Sequence, residues 1–355
     1  MPGALSIATA SDLLARGVAD RIFPAAAAEV GNAAGVLWRQ TFGRLTFDAD
    51  APATTEHTVF DLASLAKPVA TTSIVMGLVG AHALEPHDKV AAFFEDWRGA
   101  DRETVTIQDL LEHASGLPAR LVDIAPETRR EYEHDICTIR LEYEPRRRAL
   151  YSDLGFLLLG FLAADVGQAT LAAQFAEIAG RVSGDVLGFD VPQNRRANTA
   201  PTLPLEEDVR RGRVLAGEVH DNYAAALGGI AGHAGLFGTI DSVGAFGRTV
   251  LRAARGDVST PAPLTPELVA RATRKSDVPG SSRALGWDTM RPTSSCGTEM
   301  SPAAFGHVGF TGTSLWIDPP RNRYFVLLTN RVYAASSSEA MQTVRRAFHN
   351  ALAGL

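Results

Sequence analysis

Ser64 and Lys67 stand three residues apart in the stretch FDLASLAKPVATTSIVMGLV, residues 60–79. On a helix, positions i and i+3 share a face, so the hydroxyl and the amine can meet. A serine hydroxyl becomes a nucleophile when a neighbour can take its proton, and a neutral lysine is one such group. Pro68 locates the helix start, because proline is tolerated in the first turn, where backbone N–H groups have no intrahelical partner. The helix is therefore expected to begin near Ala63 or Ser64, with the positive end of its dipole at the hydroxyl. The same four residues also fit a serine helix cap followed by a surface lysine. Two further polar clusters carry groups of the right kind. Tyr151-Ser152-Asp153 opens an apolar helical run, and Gly306-His307-Val308-Gly309-Phe310-Thr311-Gly312-Thr313 is a Gly- and Thr-rich strand segment.

Composition narrows the chemistry open to these groups. The chain has 355 residues, 46% hydrophobic and 21% charged, values of a globular chain with room for one large domain or two moderate ones. The net charge of −6 is mild, and the densest basic run, Arg146-Arg147-Arg148, lies beside Glu142 and Glu144. That reads as a solvated loop, so no nucleic-acid partner is expected. Cys137 and Cys296 are far apart without CxxC spacing, which argues against a disulfide framework and a thiolate zinc site. His220, Asp221 and His233 match no familiar ligand spacing, and no metal is expected. The first residues lack the pattern of a signal peptide. No uninterrupted apolar run approaches about 18 residues, so no membrane helix is expected. The reading is a cytoplasmic protein, although a chain trimmed of an export leader would read the same. Oligomeric state is not encoded legibly.

The elements that must position these residues follow from patterning. Residues 11–30 read as an alanine-rich helix with a serine or aspartate cap. Residues 35–47 read as two short strands around a turn. Helical patterns dominate from about 70 to 275, for example at 107–113, 155–166, 169–182 and 242–254. The segments 284–287, 304–309, 314–317 and 324–329 are short, β-rich and separated by turns, as in an antiparallel meander, and a last helix is expected over 337–352. Strands at both ends with helices between give an α+β fold. Its antiparallel sheet is built from both termini and flanked by helices, with a mostly helical region inserted. The predicted single catalytic unit has an α/β part at about 1–75 plus 280–355 and a helical part at about 76–279.

Taken in order, Ser64-Leu65-Ala66-Lys67, Tyr151-Ser152-Asp153 and His307-Val308-Gly309 resemble the Ser-x-x-Lys, Tyr-x-Asn and Lys-Thr-Gly elements of the serine β-lactamase and penicillin-binding protein superfamily. Within it, the chain is similar to class C β-lactamase-like serine hydrolases and family VIII esterases. Leu110-Leu111-Glu112-His113-Ala114-Ser115-Gly116-Leu117-Pro118 resembles the family's LLxHxSGL loop, and residues 232–239 and 327–331 are also similar. The resemblance runs from about residue 15 to 350 and implies a β-lactamase/transpeptidase-like fold without a cofactor. It implies Ser64 as nucleophile, Lys67 as its partner and Tyr151 as a second acid/base group that shuttles the proton to the leaving group. The backbone N–H groups of Ser64 and Phe310 would form the oxyanion hole, often the largest single catalytic contribution. Asp153, His307, Gly309, Arg120 and His220 would face the substrate, a small ester, amide or β-lactam. His113 and His233 are expected to satisfy backbone groups in tight loops, and Trp316 and Phe325 to belong to the sheet core. G-x-S-x-G is absent, which excludes the usual α/β-hydrolase elbow. Rival readings are a β-lactamase, a D,D-peptidase or a D-aminopeptidase, and, from another class, an inactive penicillin- or peptide-binding scaffold. Specificity rests on loops such as 118–148 and 185–222, which carry no readable code.

Two positions depart from the resemblance. Asp153 stands where the family usually has asparagine, and a carboxylate beside Lys67 favours its ammonium form. Tyr151 then becomes the better candidate to take the serine proton. His307 stands where the family often has lysine, and an imidazole is mostly uncharged at neutral pH. Neutral esters or amides are therefore expected to be turned over better than anionic β-lactams, with short-chain esters hydrolysed faster than cephalosporins at about pH 7.5. Faster cephalosporin hydrolysis in paired rate assays would contradict that expectation.

Overall fold

The structure, a computed structural model, describes residues 2–121, 126–334 and 336–355, so residues 122–125 of the 118–148 loop lie outside the described residues. The chain opens with α1 (Pro2–Ala19) and a hairpin of β1 (Ala25–Asn32) and β2 (Gly35–Gly43). The central region carries β3 (Phe60–Asp61), α2 (Ser73–Gly80), α3 (Ile107–Leu111), α4 (Arg129–Thr138), α5 (Asp153–Val166), α6 (Leu171–Gly180), β4 (Leu187–Gly188), α7 (Asn222–Ala226), β5 (Phe237–Gly238), α8 (Ile240–Ala254) and α9 (Pro266–Ala272). The chain closes with β6 (Asp288–Thr289), β7 (Phe305–Val308), β8 (Ser314–Asp318), β9 (Arg323–Thr329) and α10 (Ser338–Leu352). The main sheet is antiparallel with order β2-β1-β9-β8-β7-β6, and a small second sheet has order β3-β5-β4. The expected α+β architecture is present, with its principal sheet built from both ends of the chain. The helices expected in the centre occur with ends shifted by no more than two residues.

Three sequence expectations fail locally. The helix read over 11–30 stops at Ala19, and the alanine run that follows is β1. Pro24 sits just before the strand and fixes its own φ without an N–H. The alanines then alternate between two cores. Ala25 and Ala27 join Val243 and Phe246 of α8, while Ala26, Ala28 and Val30 join Leu14 of α1 and Phe348 of α10. Residues this small let helices pack closely on both faces, and that burial outweighs the helix propensity of alanine. The two strands read over 35–47 are a single strand, β2, which ends at Gly43 with φ +72°. Residues 284–287 form a turn around Gly286 (φ +72°), where a Cβ would collide with Thr72, and the strand shrinks to Asp288–Thr289.

The segment bearing Ser64 and Lys67 does begin at Ala63, but as a 3-10 turn (Ala63–Leu65) followed by a π-helical stretch (Lys67–Thr72) before α2. Pro68 has no N–H to give the Ser64 carbonyl, so a regular α ladder cannot run through this point. Ala63–Gly80 is long and apolar enough on average to pass for a membrane span, with mean hydropathy 1.3, although it is not an uninterrupted apolar run. Polar Ser64, Lys67, Thr71 and Thr72 hide it in the sequence, and 78% of it is buried inside the protein as a core element.

The C-terminal sheet is fastened to this segment. Thr311 Oγ1 donates to the Asp61 carbonyl at 2.8 Å, and Thr313 Oγ1 to the Leu62 carbonyl at 3.0 Å. Gly309 lies so close that a Cβ there would sit 2.6 Å from the Leu62 carbonyl oxygen and would also collide with Thr313 Oγ1. Gly309→Ala is therefore expected to cost about 1–3 kcal/mol of stability through overpacking. Gly35→Ala, with open space around it, is expected to stay within about 0.5 kcal/mol of the parent. Equal denaturant midpoints for the two variants would refute this close-approach account.

Candidate active site

Three stretches of chain meet at Ser64, and the first is its own turn. Ala63 has φ +48°, a left-handed conformation that costs a non-glycine residue roughly 1–2 kcal/mol. The surroundings enforce it. Asp61 Oδ1 accepts the Ala63 N–H at 2.8 Å, and the Leu62 N–H donates to the Leu236 carbonyl at 2.8 Å. The other Asp61 oxygen accepts the His220 N–H at 2.7 Å. Burial pushes the Asp61 carboxyl up to about 6 despite these two donors. Backbone outliers held in this way concentrate at functional sites.

The second stretch is the start of α5. Ser152 caps the helix, accepting the Gly155 N–H and donating to the Pro118 carbonyl at 2.6 Å. That cap sets Asp153 in the first turn, where the helix dipole favours a carboxylate. Asp153 Oδ1 lies 2.8 Å from Lys67 Nζ. The Lys67 nitrogen also donates to Ser64 Oγ at 3.1 Å and to the His233 carbonyl at 3.2 Å. An ammonium has three donors and no lone pair, and all three find acceptors here. Complete burial works against the lysine charge, but the Asp153 carboxylate opposes it, and the Lys67 pKa stays above its ordinary value. Burial likewise opposes the Asp153 charge, and Lys67 outweighs it, so the carboxylate stays below the usual range. Lys67 Nζ lies 4.7 Å from the centre of the Tyr151 ring.

The third stretch is the end of β7 and the turn beyond it. His307 is buried, with Nδ1 2.8 Å from the Val308 carbonyl. A neutral ring in that contact carries its proton on Nδ1 and leaves Nε2 bare. Burial, reinforced by the charges of Lys67 and Arg283, holds His307 well below the ordinary histidine range, so it supplies no cation at neutral pH. The Phe310 side chain is 51% exposed, and its carbonyl is pinned by the Arg331 guanidinium at 2.6 and 3.1 Å. Among the described residues neither the Phe310 N–H nor the Ser64 N–H is spent on a backbone acceptor, so both are available to an oxyanion.

These stretches border a cavity of about 640 Å³ lined by Ser64, Tyr151, Asp153, His307, Phe310 and Arg283, among others. The candidate site residues named from the sequence all line it except Lys67, which reaches it through Ser64. His220 packs its ring 5.7 Å from that of Phe310, and burial pushes its pKa down to about 4. Gly309 serves by having no side chain. Arg120 lines the cavity but is bound within the protein: Nη1 lies 3.0 Å from both Asp153 and Asp221, and Nη2 lies 2.6 Å from Asn222 Oδ1. Asp153, Asp221 and His233 bring their polar atoms within 4.8 Å of one another, and the cations touching those carboxylates are Lys67 and Arg120. His113 accepts the Ser152 N–H at 3.0 Å, as expected of a loop histidine. Trp316 and Phe325 are fully buried in the main sheet. Sequence reasoning missed Asp61 and Arg283, neither of which belongs to a spaced motif.

The geometry agrees with comparison to known proteins. The family model Beta-lactamase matches residues 10–349. A putative D-alanyl-D-alanine carboxypeptidase of Escherichia coli is 30% identical over 325 residues, covering 82% of this chain and 73% of the relative. Among solved structures, EstCE1, a hydrolase with promiscuous acyltransferase activity, superposes with a TM-score of 0.77 at 19% identity, covering 98% of this chain and 99% of that one. A class C beta-lactamase does so with 0.75 at 16% identity, covering 99% and 97%. With its family model spanning nearly its whole length and its fold shared end to end, the chain belongs to the beta-lactamase family of serine hydrolases.

Proposed function

We propose that the protein hydrolyses small esters or amides through an acyl-enzyme on Ser64, as a carboxylesterase-like member of its family. The observation that carries this reading is the Ser64 hydroxyl at the cavity wall, 3.1 Å from a buried lysine that donates to it. Because Lys67 is an ammonium, it orients Ser64 Oγ and stabilises developing negative charge, and it does not take the proton. Tyr151 is assigned the relay. As Ser64 Oγ bonds to the substrate carbonyl, Tyr151 takes the serine proton and passes its own hydroxyl proton to the departing oxygen or nitrogen. The N–H groups of Ser64 and Phe310 receive the carbonyl oxygen as it becomes an oxyanion. Water then attacks the acyl group, and the proton returns to Ser64 along the same route.

A neutral His307 supports an ester-like substrate without a carboxylate. A second reading, a peptide ending in a free carboxylate, is favoured by Arg283. Its guanidinium carbon lies 5.2 Å from the Tyr151 ring centre, and its nearest acidic oxygen, on Asp288, is 4.0 Å away. The other arginines lining the cavity already bind carbonyl or carboxylate oxygens.

Nitrophenyl butyrate, a chromogenic cephalosporin, a D-alanyl-D-alanine peptide and a fluorescent phosphonate offered to wild type and Ser64→Ala test both readings. Ester turnover and phosphonate labelling are expected in wild type, with a loss of about 10³-fold or more in Ser64→Ala. Labelling that survives Ser64→Ala overturns the nucleophile assignment. Labelling without turnover of any substrate identifies a binding scaffold. Peptide turnover above ester turnover, lost selectively in Arg283→Ala, establishes the second reading.

A further inference from the structure

Arg120 occupies a position that substrate recognition does not explain. One nitrogen, Nη1, sits 3.0 Å from Asp153 Oδ2 and 3.0 Å from Asp221 Oδ2, and the guanidinium carbon lies 4.0 Å over the Tyr223 ring. The remaining oxygen of Asp153 holds Lys67. The remaining oxygen of Asp221 lies 2.8 Å from His233 Nε2 and caps α7 through the Ala224 N–H. His233 in turn accepts Lys67 through its carbonyl. The result is a closed circuit, Lys67–Asp153–Arg120–Asp221–His233 and back to Lys67. Besides His233 it holds two full positive charges and two full negative ones, with Ser64 attached at Lys67.

We propose that Arg120 is a positioning residue of the Ser64 site, the internal counter-cation that keeps Asp153 ionised beside Asp221 and thereby keeps Lys67 charged and aimed at Ser64. The inference rests on the reading of Ser64 as nucleophile and assigns Arg120 no contact with substrate. Without the guanidinium, two largely buried carboxylates whose polar atoms approach within 4.8 Å keep Lys67 as the one permanently charged cation among the described residues, with the His233 ring beside them. Like charges so placed cannot both stay ionised at low cost, and the pair takes up a proton. The groups facing Asp153 are Lys67, Arg120, Asp221 and His233, with Tyr151 across Lys67. Those facing Asp221 are Arg120, His233, Asp153 and, more distantly, His220, Asp61 of β3 and Tyr132 of α4. In Arg120→Met, proton uptake at Asp153 releases Lys67, and activity returns only where the pH is high enough to ionise both carboxylates.

The test is the pH dependence of kcat and KM for a neutral nitrophenyl ester in wild type, Arg120→Met and Arg120→Met/Asp221→Asn. Asparagine keeps an acceptor for the α7 cap while removing the second negative charge, so the double variant is again charge-balanced. The acid limb of kcat/KM is expected to move up by about one pH unit or more in Arg120→Met. It should return towards wild type in the double variant, with KM little changed throughout. A raised KM with an unmoved acid limb would make Arg120 a substrate contact and overturn the proposal. A pH-independent loss that Asp221→Asn does not repair would make it a structural brace and would do the same. Phosphonate labelling of the single variant at high pH reports that the site is folded. The proposal's failure is separable from failure of the nucleophile assignment, which Ser64→Ala tests by itself.

Discussion

A fully buried ammonium is costly, and the organisation of this site follows from making one tolerable. Lys67 has no exposure to solvent, so its charge persists only because Asp153, Ser64 and a backbone carbonyl surround it at 2.8–3.2 Å. Breaking such a pair by removing one partner typically costs about 3–5 kcal/mol, because the survivor is left uncompensated. Asp153 is thus a structural as well as a chemical requirement. It reaches Lys67 because it occupies the first turn of α5, and α5 starts there because Ser152 caps it. A neutral asparagine at that position would leave a different enzyme, one in which the lysine is freer to give up its proton.

The same demand shapes the backbone. Ser64 is offered to the cavity by a left-handed Ala63, a 3-10 turn and a π-helical stretch, none of which a regular helix would provide. Hydrogen bonds from Thr311 and Thr313, about 250 residues away in sequence, and the Asp61 carboxylate over-determine that geometry. The sheet built from both chain ends therefore braces Ser64 from one side while the central helices deliver the charges from the other. Rigid positioning of this kind converts binding into reaction by holding reacting atoms in line.

What was legible in the sequence had a local signature. Ser64, Lys67, Tyr151, Asp153, His307 and Phe310 sit in short motifs whose order singled them out as candidates, and the long apolar helices announced themselves by composition. The alanines of β1 were misread because propensity is a property of the residue, whereas their burial on both faces is a property of the fold. Arg120 was placed at the cavity correctly, yet its engagement depends on Asp221, 101 residues further on. Asp61 and Arg283 had no motif at all. Each matters through a neighbour that only the folded chain supplies.

The charge of Lys67 carries the account, and it is directly observable, because the chain has only three lysines: Lys67, Lys89 and Lys275. Labelling lysine side chains with ¹³C at Cε and assigning the Lys67 signal by Lys67→Arg allows its titration to be followed by NMR. The account predicts that Lys67 remains an ammonium through neutral pH and titrates no lower than the ordinary value of 10.5, and that Asp153→Asn lowers its midpoint. A wild-type Lys67 midpoint near or below about pH 8 would mean a neutral lysine is available as the base, and would contradict it.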